Sequence, residues 1–144
     1  MEIQDMPEQT RARIVVKSRQ GQEETVQEWM GEVFVKEDAT YIRYEEPEEI
    51  PGSGATRTLV KITGGALKIM RHGGVESEQT FEVGRRLPGF YRSPLTSFNL
   101  STRTRSLETN LTGTTGHVVC EYDLYVFEDL SGHFAISLHI QEEQ

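Results

Sequence analysis

From Gly84 to Leu107 the chain carries five arginines, Arg85, Arg86, Arg92, Arg103 and Arg105, and no acidic residue. The whole protein sets 15 Lys and Arg against 23 Asp and Glu, a formal net charge of −8. A cationic window inside an anionic protein creates a local positive field. Guanidinium is also the group that grips carboxylate or phosphate through two parallel hydrogen bonds. Arg103 and Arg105 stand two apart among Ser101, Thr102, Thr104 and Ser106, so a strand presents both on one face beside hydroxyls. Arg92, Arg103 and Arg105 are therefore the candidate residues for a small anionic ligand. Facing decides the matter. If Phe98 and Leu100 point inward, an unbroken strand sends both arginines outward, to pair with acids across the sheet. A bend near Thr102 reverses that.

A second set is polar and inward by alternation. Ser77 and Gln79 share a strand face with Phe81, and Tyr91 lies nearby in a loop rich in aromatics. Such groups orient a ligand inside an apolar pocket. Other chemistry is missing from the pattern. His133 and His139 are six residues apart, about 20 Å at strand rise, too far to share one metal ion. Cys120 alternates with Val118 and Tyr122 and reads as a small core residue. As the single cysteine it forms no disulfide within the chain. Trp29 reads as a core aromatic, and Ser, His and Asp stand in no nucleophile context. The expectation is no catalytic residue, no metal and no cofactor.

These residues must be positioned by strands. Gly64-Gly65 and Gly73-Gly74 are expected to supply the positive φ of tight hairpin turns. The alternation predicts strands over 11–20, 24–36, 39–46, 56–63, 66–72, 75–83, 96–111, 115–128 and 132–141. In 75–83 one face takes Val75, Ser77, Gln79, Phe81 and Val83. In the last strand Phe134, Ile136, Leu138 and Ile140 form a core stripe, joined by Leu124 and Val126. A bulge or bend at Gly31 is expected, because the apolar set moves from Val26 and Met30 to Val33 and Val35. Residues 45–54 read as a mobile acidic loop at a rim. Arg85–Leu95 reads as a connection with a short helical turn that caps one end.

The result is an all-β fold: one antiparallel up-and-down barrel of about 8–10 strands with little helix, over residues 1–144 and with 1–10 as a flexible lead. The acidic balance argues against nucleic acid. No apolar run of 18 residues and no signal peptide are visible, so the chain reads as cytoplasmic and not membrane-bound.

Three stretches carry a resemblance: Arg11-Ala-Arg-Ile-Val-Val-Lys-Ser, Phe90-Tyr91-Arg92-Ser93-Pro94-Leu95, and Val118-Val119-Cys120-Glu121-Tyr122-Asp123-Leu124. On them the chain resembles the YwiB-like family of uncharacterised bacterial proteins with a calycin, lipocalin-like barrel. Ser93 stands where that family usually has Thr, and Leu95 and Thr96 where Gly is expected. The resemblance implies a barrel and no catalytic residues. Function is therefore expected to be non-catalytic binding of a small molecule with an anionic group. The alternative is a protein-interaction or assembly module that acts through its outer surface as a homodimer, its basic 85–105 region meeting the acidic 45–49 loop.

Overall fold

A computed structural model describes residues 9–143, and every regular element among them is a β-strand. Ten strands follow one another: β1 Thr10–Gln20, β2 Glu23–Lys36, β3 Ala39–Glu46, β4 Thr56–Ile62, β5 Leu67–Gly73, β6 Glu76–Phe81, β7 Arg86–Arg92, β8 Ser97–Thr112, β9 Thr115–Val126 and β10 Asp129–Glu142. Each pairs antiparallel with its sequence neighbours, and β1 pairs with β10, so the meander closes as a ten-stranded up-and-down barrel. Thr10 already belongs to β1, and the rest of the expected flexible lead, apart from Gln9, lies outside the described residues.

Alternation sorts the side chains. Ile14, Val33, Ile42, Val60, Leu67, Phe81, Val118, Cys120, Leu138 and Ile140 are buried inside, and Ile136 packs against them at half burial. Aromatic rings fill the axis: Phe81 meets Tyr122 edge-on at 4.8 Å, Tyr122 stacks on Phe134 at 5.7 Å, and Trp29 stacks on Tyr44 at 5.9 Å. Four clefts lined by described residues are all open to solvent.

Five local expectations are corrected. The stretch read as a capping turn is mostly strand β7, which pairs with β8 from Arg86↔Arg103 to Arg92↔Ser97. Pro88 and Gly89 hid it, and both have a reason to be there. β6 pairs with β7 only through Glu76↔Arg92, Ser77↔Tyr91 and Glu78↔Phe90, so Pro88 withholds no ladder bond from it. A Cβ on Gly89 would lie 2.1 Å from the Glu78 carbonyl oxygen, so glycine admits the close approach of β6. At Gly31 the register of β1 and β2 runs unbroken, and no bulge forms. The glycine is required because a Cβ there would meet the Arg43 carbonyl oxygen at 2.3 Å. The apolar residues of β2 do pass from the outer face, where Val26 and Met30 are exposed, to the inner face at Val33, but by a change of parity in an unbroken strand. Val83 is exposed rather than part of the β6 core face. The Gly64-Gly65 turn closes through Thr63 N–H to the Ala66 carbonyl at 3.0 Å without positive φ at either glycine, whereas Gly73 has φ 135°. Finally, Glu45 and Glu46 end β3, so the acidic loop begins only at Pro47.

Candidate functional site

β8 is the strand that decides where the arginines go. Leu100, Thr102 and Thr104 point inward and are buried, so Arg103 faces out. A register shift between Thr104 and Ser106 makes Arg105 the extra residue of a bulge, which leaves it outside as well. The expected irregularity exists, but too late along the strand to turn either arginine in. The register then lines up Arg86, Arg103, Asp123 and His133 as a row across β7, β8, β9 and β10.

Charge is unevenly matched along that row. Asp123 Oδ1 accepts from Arg105 Nε at 3.0 Å and lies 2.5 Å from His133 Nδ1. Burial under these neighbours opposes its charge, yet the hydrogen bonds from His133 and Arg105 outweigh that and hold its carboxyl below the usual carboxylate range. The carboxylate is covered by two side chains while sitting only one layer from solvent. Arg86 lies over the Tyr125 ring at 3.8 Å, donates to Ser101 Oγ at 2.8 Å and reaches exposed Glu128 at 3.8 Å. Arg103 is exposed, and among the described residues no carboxylate lies within ion-pair distance of it. A cleft of about 280 Å³ opens beside Arg105, His133, Glu121 and Arg19, and one of about 570 Å³ beside Arg86, Pro88, Ser101 and Phe127.

The inner side holds a different cluster. The register joins Tyr44, Thr58, Arg71, Ser77, Tyr91 and Phe98 in one row across β3 to β8, all on the inner face. Arg71 grips Glu46 with Nη2 to Oε1 at 2.8 Å and Nε to Oε2 at 3.2 Å, and Thr58 Oγ1 donates to Glu46 Oε2 at 2.5 Å. Burial, reinforced by Glu46, raises the Tyr44 hydroxyl well above its ordinary range. Here every charge is answered.

Sequence reasoning thus found two separate groups. Arg103 and Arg105 come together outside, while Ser77 and Tyr91 are partners inside, Tyr91 stacking on Phe98 at 5.3 Å. Gln79 faces inward, and burial pushes the Tyr122 hydroxyl up to about 12. Arg92 stands apart: it pairs with Ser97, six residues from Arg103, about 20 Å along the strand, and lies over Phe90 at 4.7 Å. The expected hydroxyl cradle does not form. Thr102 Oγ1 turns inward to the Thr80 carbonyl at 2.7 Å, and Ser106 Oγ donates to Glu121 at 3.0 Å. Thr104 Oγ1 is buried without a hydrogen-bond partner among the described residues, and burial pushes the Cys120 thiol up to about 12 and so keeps it protonated. Arg71 and Glu46 were missed. Their signal was a charged residue sharing strand parity with Leu67 and Ile69, and another sharing it with Ile42 and Tyr44. Among the described residues no group of three or more His, Cys, Asp or Glu could hold a metal ion, though His117 and His139 stack at 5.6 Å.

Residues 11–138 match a family described as a domain of unknown function, DUF1934. The chain belongs to the DUF1934 family. It is 26% identical over 126 residues to the uncharacterised beta-barrel protein YwiB of Bacillus subtilis (strain 168), covering 88% of this chain and 87% of that protein. The crystal structure of ywiB protein from Bacillus subtilis superposes with a TM-score of 0.78 at 24% identity, covering 94% of each chain. DUF1934 membership accordingly fixes the barrel and assigns no chemistry. No helix among the described residues is long and apolar enough to cross a membrane.

Proposed function

We propose that this protein is a non-catalytic binding module whose small ligand carries a carboxylate or phosphate and docks on the outer face of β7 to β10. One observation supports it most: Arg103 is exposed without a carboxylate partner among the described residues, with Arg86 beside it in register and Arg105 at the adjoining bulge. The axis is occupied by aromatic rings and the inner charges are satisfied, so the outer face is the better receptor. A cytoplasmic setting suits the single buried cysteine. Exposed ion pairs contribute only about 0–1 kcal/mol each, so binding is weak, in the millimolar range, and falls with added salt. Titrating inorganic phosphate and citrate at low ionic strength, read by Arg Nε–H NMR shifts, should move the Arg103 resonance first. Arg103→Gln should abolish saturation, whereas Arg92→Gln should leave it intact. Equal binding by wild type and Arg103→Gln, or none by wild type, overturns the reading.

A further inference from the structure

Closing this barrel leaves several stretches of strand without a second neighbour, the two longest in β2 and β8. Residues 23–30 of β2 pair only with β1, because β3 meets β2 from Gly31 onward. Residues 106–112 of β8 pair only with β9, because β7 pairs with β8 no further than Arg103. Each stretch offers backbone N–H and C=O groups that no described strand answers, a template for one more strand.

The two edges carry opposite sequences. The β2 stretch holds Glu23, Glu24 and Glu28, so two copies paired along it would crowd three glutamates from each chain into one ribbon. Like charge guards that edge. The β8 stretch holds a single acid, Glu108, and no base. Beyond the bulge its inner face carries Leu107, Thr109 and Leu111, with both leucines packed at half burial against the core. Its outer face carries Ser106, Glu108, Asn110 and Thr112, all exposed.

Antiparallel neighbours place directly opposite residues on the same face of the sheet, which restricts how two such edges can meet. Centred on Thr109, the β8 edge is complementary to itself. Leu107 falls opposite the second copy's Leu111, and Leu111 opposite its Leu107. Glu108 meets an Asn110 amide in each direction, Ser106 meets Thr112, and Thr109 meets itself. Centring on Glu108 would set two carboxylates face to face, and centring on Asn110 would waste Leu107 against Gly113 of the β8–β9 turn. One register satisfies both faces.

We propose that the β8 edge is a dimerisation surface, and that a second copy of this chain adds antiparallel along residues 106–112 with the two-fold axis at Thr109. Main-chain hydrogen bonds supply the attraction, and the leucine and Glu–Asn pairs supply the register. The contact is isologous, so it consumes both edges and stops at two copies. It uses neither the basic 85–105 region nor the acidic 45–49 loop, and it stands whether or not Arg103 binds an anion.

The test is sedimentation velocity on the full chain at high micromolar concentration, with three variants. Wild type should sediment at twice the 16.4 kDa chain mass. Thr109→Lys, which puts two ammonium groups on the axis but replaces an exposed side chain, should sediment as the monomer with an unchanged circular dichroism spectrum. Thr109→Cys should form a disulfide-linked dimer under mild oxidation, while Gln27→Cys on the β2 edge should not. A monomeric wild type overturns the proposal. So does a dimer that survives Thr109→Lys, or one in which Gln27→Cys cross-links as readily as Thr109→Cys.

Discussion

Arg71–Glu46 and Arg105–Asp123 are the same chemical pair set on opposite faces of one barrel wall. The inner guanidinium and carboxylate side chains retain 25% and 15% of their accessible surface, and Thr58 satisfies a further lone pair. The outer pair retains 59% and 10%, so its acid is sheltered while its base stays open to solvent. Inside, water screens the charges less, so losing one partner strands the other. Outside, the guanidinium is already hydrated and exchanges partners at small cost. One arrangement holds a fold together, and the other is the setting that the proposed anion site requires.

The contrast can be broken by mutation, with the largest effect on the inner side. Arg71→Ala should destabilise by about 2–4 kcal/mol, somewhat below the 3–5 of a fully buried pair, because Glu46 is left half-buried and alone. Replacing both, Arg71→Met with Glu46→Leu, should recover most of that loss, since apolar packing substitutes for a paired interior. Urea midpoints of the three proteins report this directly, and a double variant as unstable as Arg71→Ala would deny that the stranded charge is the cause. Arg105→Ala should cost less than about 1 kcal/mol, because the arginine is exposed and His133 still faces Asp123.

Acid sharpens the comparison with the smallest effect. The Asp123 carboxyl is held below its usual range in the folded protein, so its contribution is present above the unfolded value of about 3.9 and is lost as pH falls through the folded one. Wild type should therefore exceed Asp123→Asn in stability at pH 7, and the gap should close below about pH 4. A gap that stays constant from neutral to acidic pH would show that the carboxylate is not held by its two neighbours.

The barrel was legible in the sequence because alternation survives wherever one face is buried, as in the β10 stripe and in β9 around Cys120. β7 escaped because Pro88 and Gly89 read as strand breakers, the proline sitting where β6 does not pair and the glycine where β6 comes too close for a Cβ. The outward arginines were legible as a charge anomaly, yet their facing hung on where one bulge fell. The inner Arg71–Glu46 pair was written plainly as charges on apolar faces. It went unread because Arg71 sits at the end of β5 and Glu46 at the start of an acidic run that reads as loop.

The bulge at Arg105 makes β8 two strands spliced at a single residue. Before it, even-numbered side chains build the interior; after it, odd-numbered ones do. Deleting Arg105 would close the splice into one regular strand, with Thr104 still inward, Ser106 outward opposite Glu121 and Leu107 inward opposite Cys120, so neither half would change face. Among relatives of this chain, loss of a single residue should therefore be tolerated at the bulge, whereas a loss between Leu107 and Leu111 would turn one of those leucines to water. What is kept on either side is the parity of the count, and the bulge is the one place in the strand where that count is free to change.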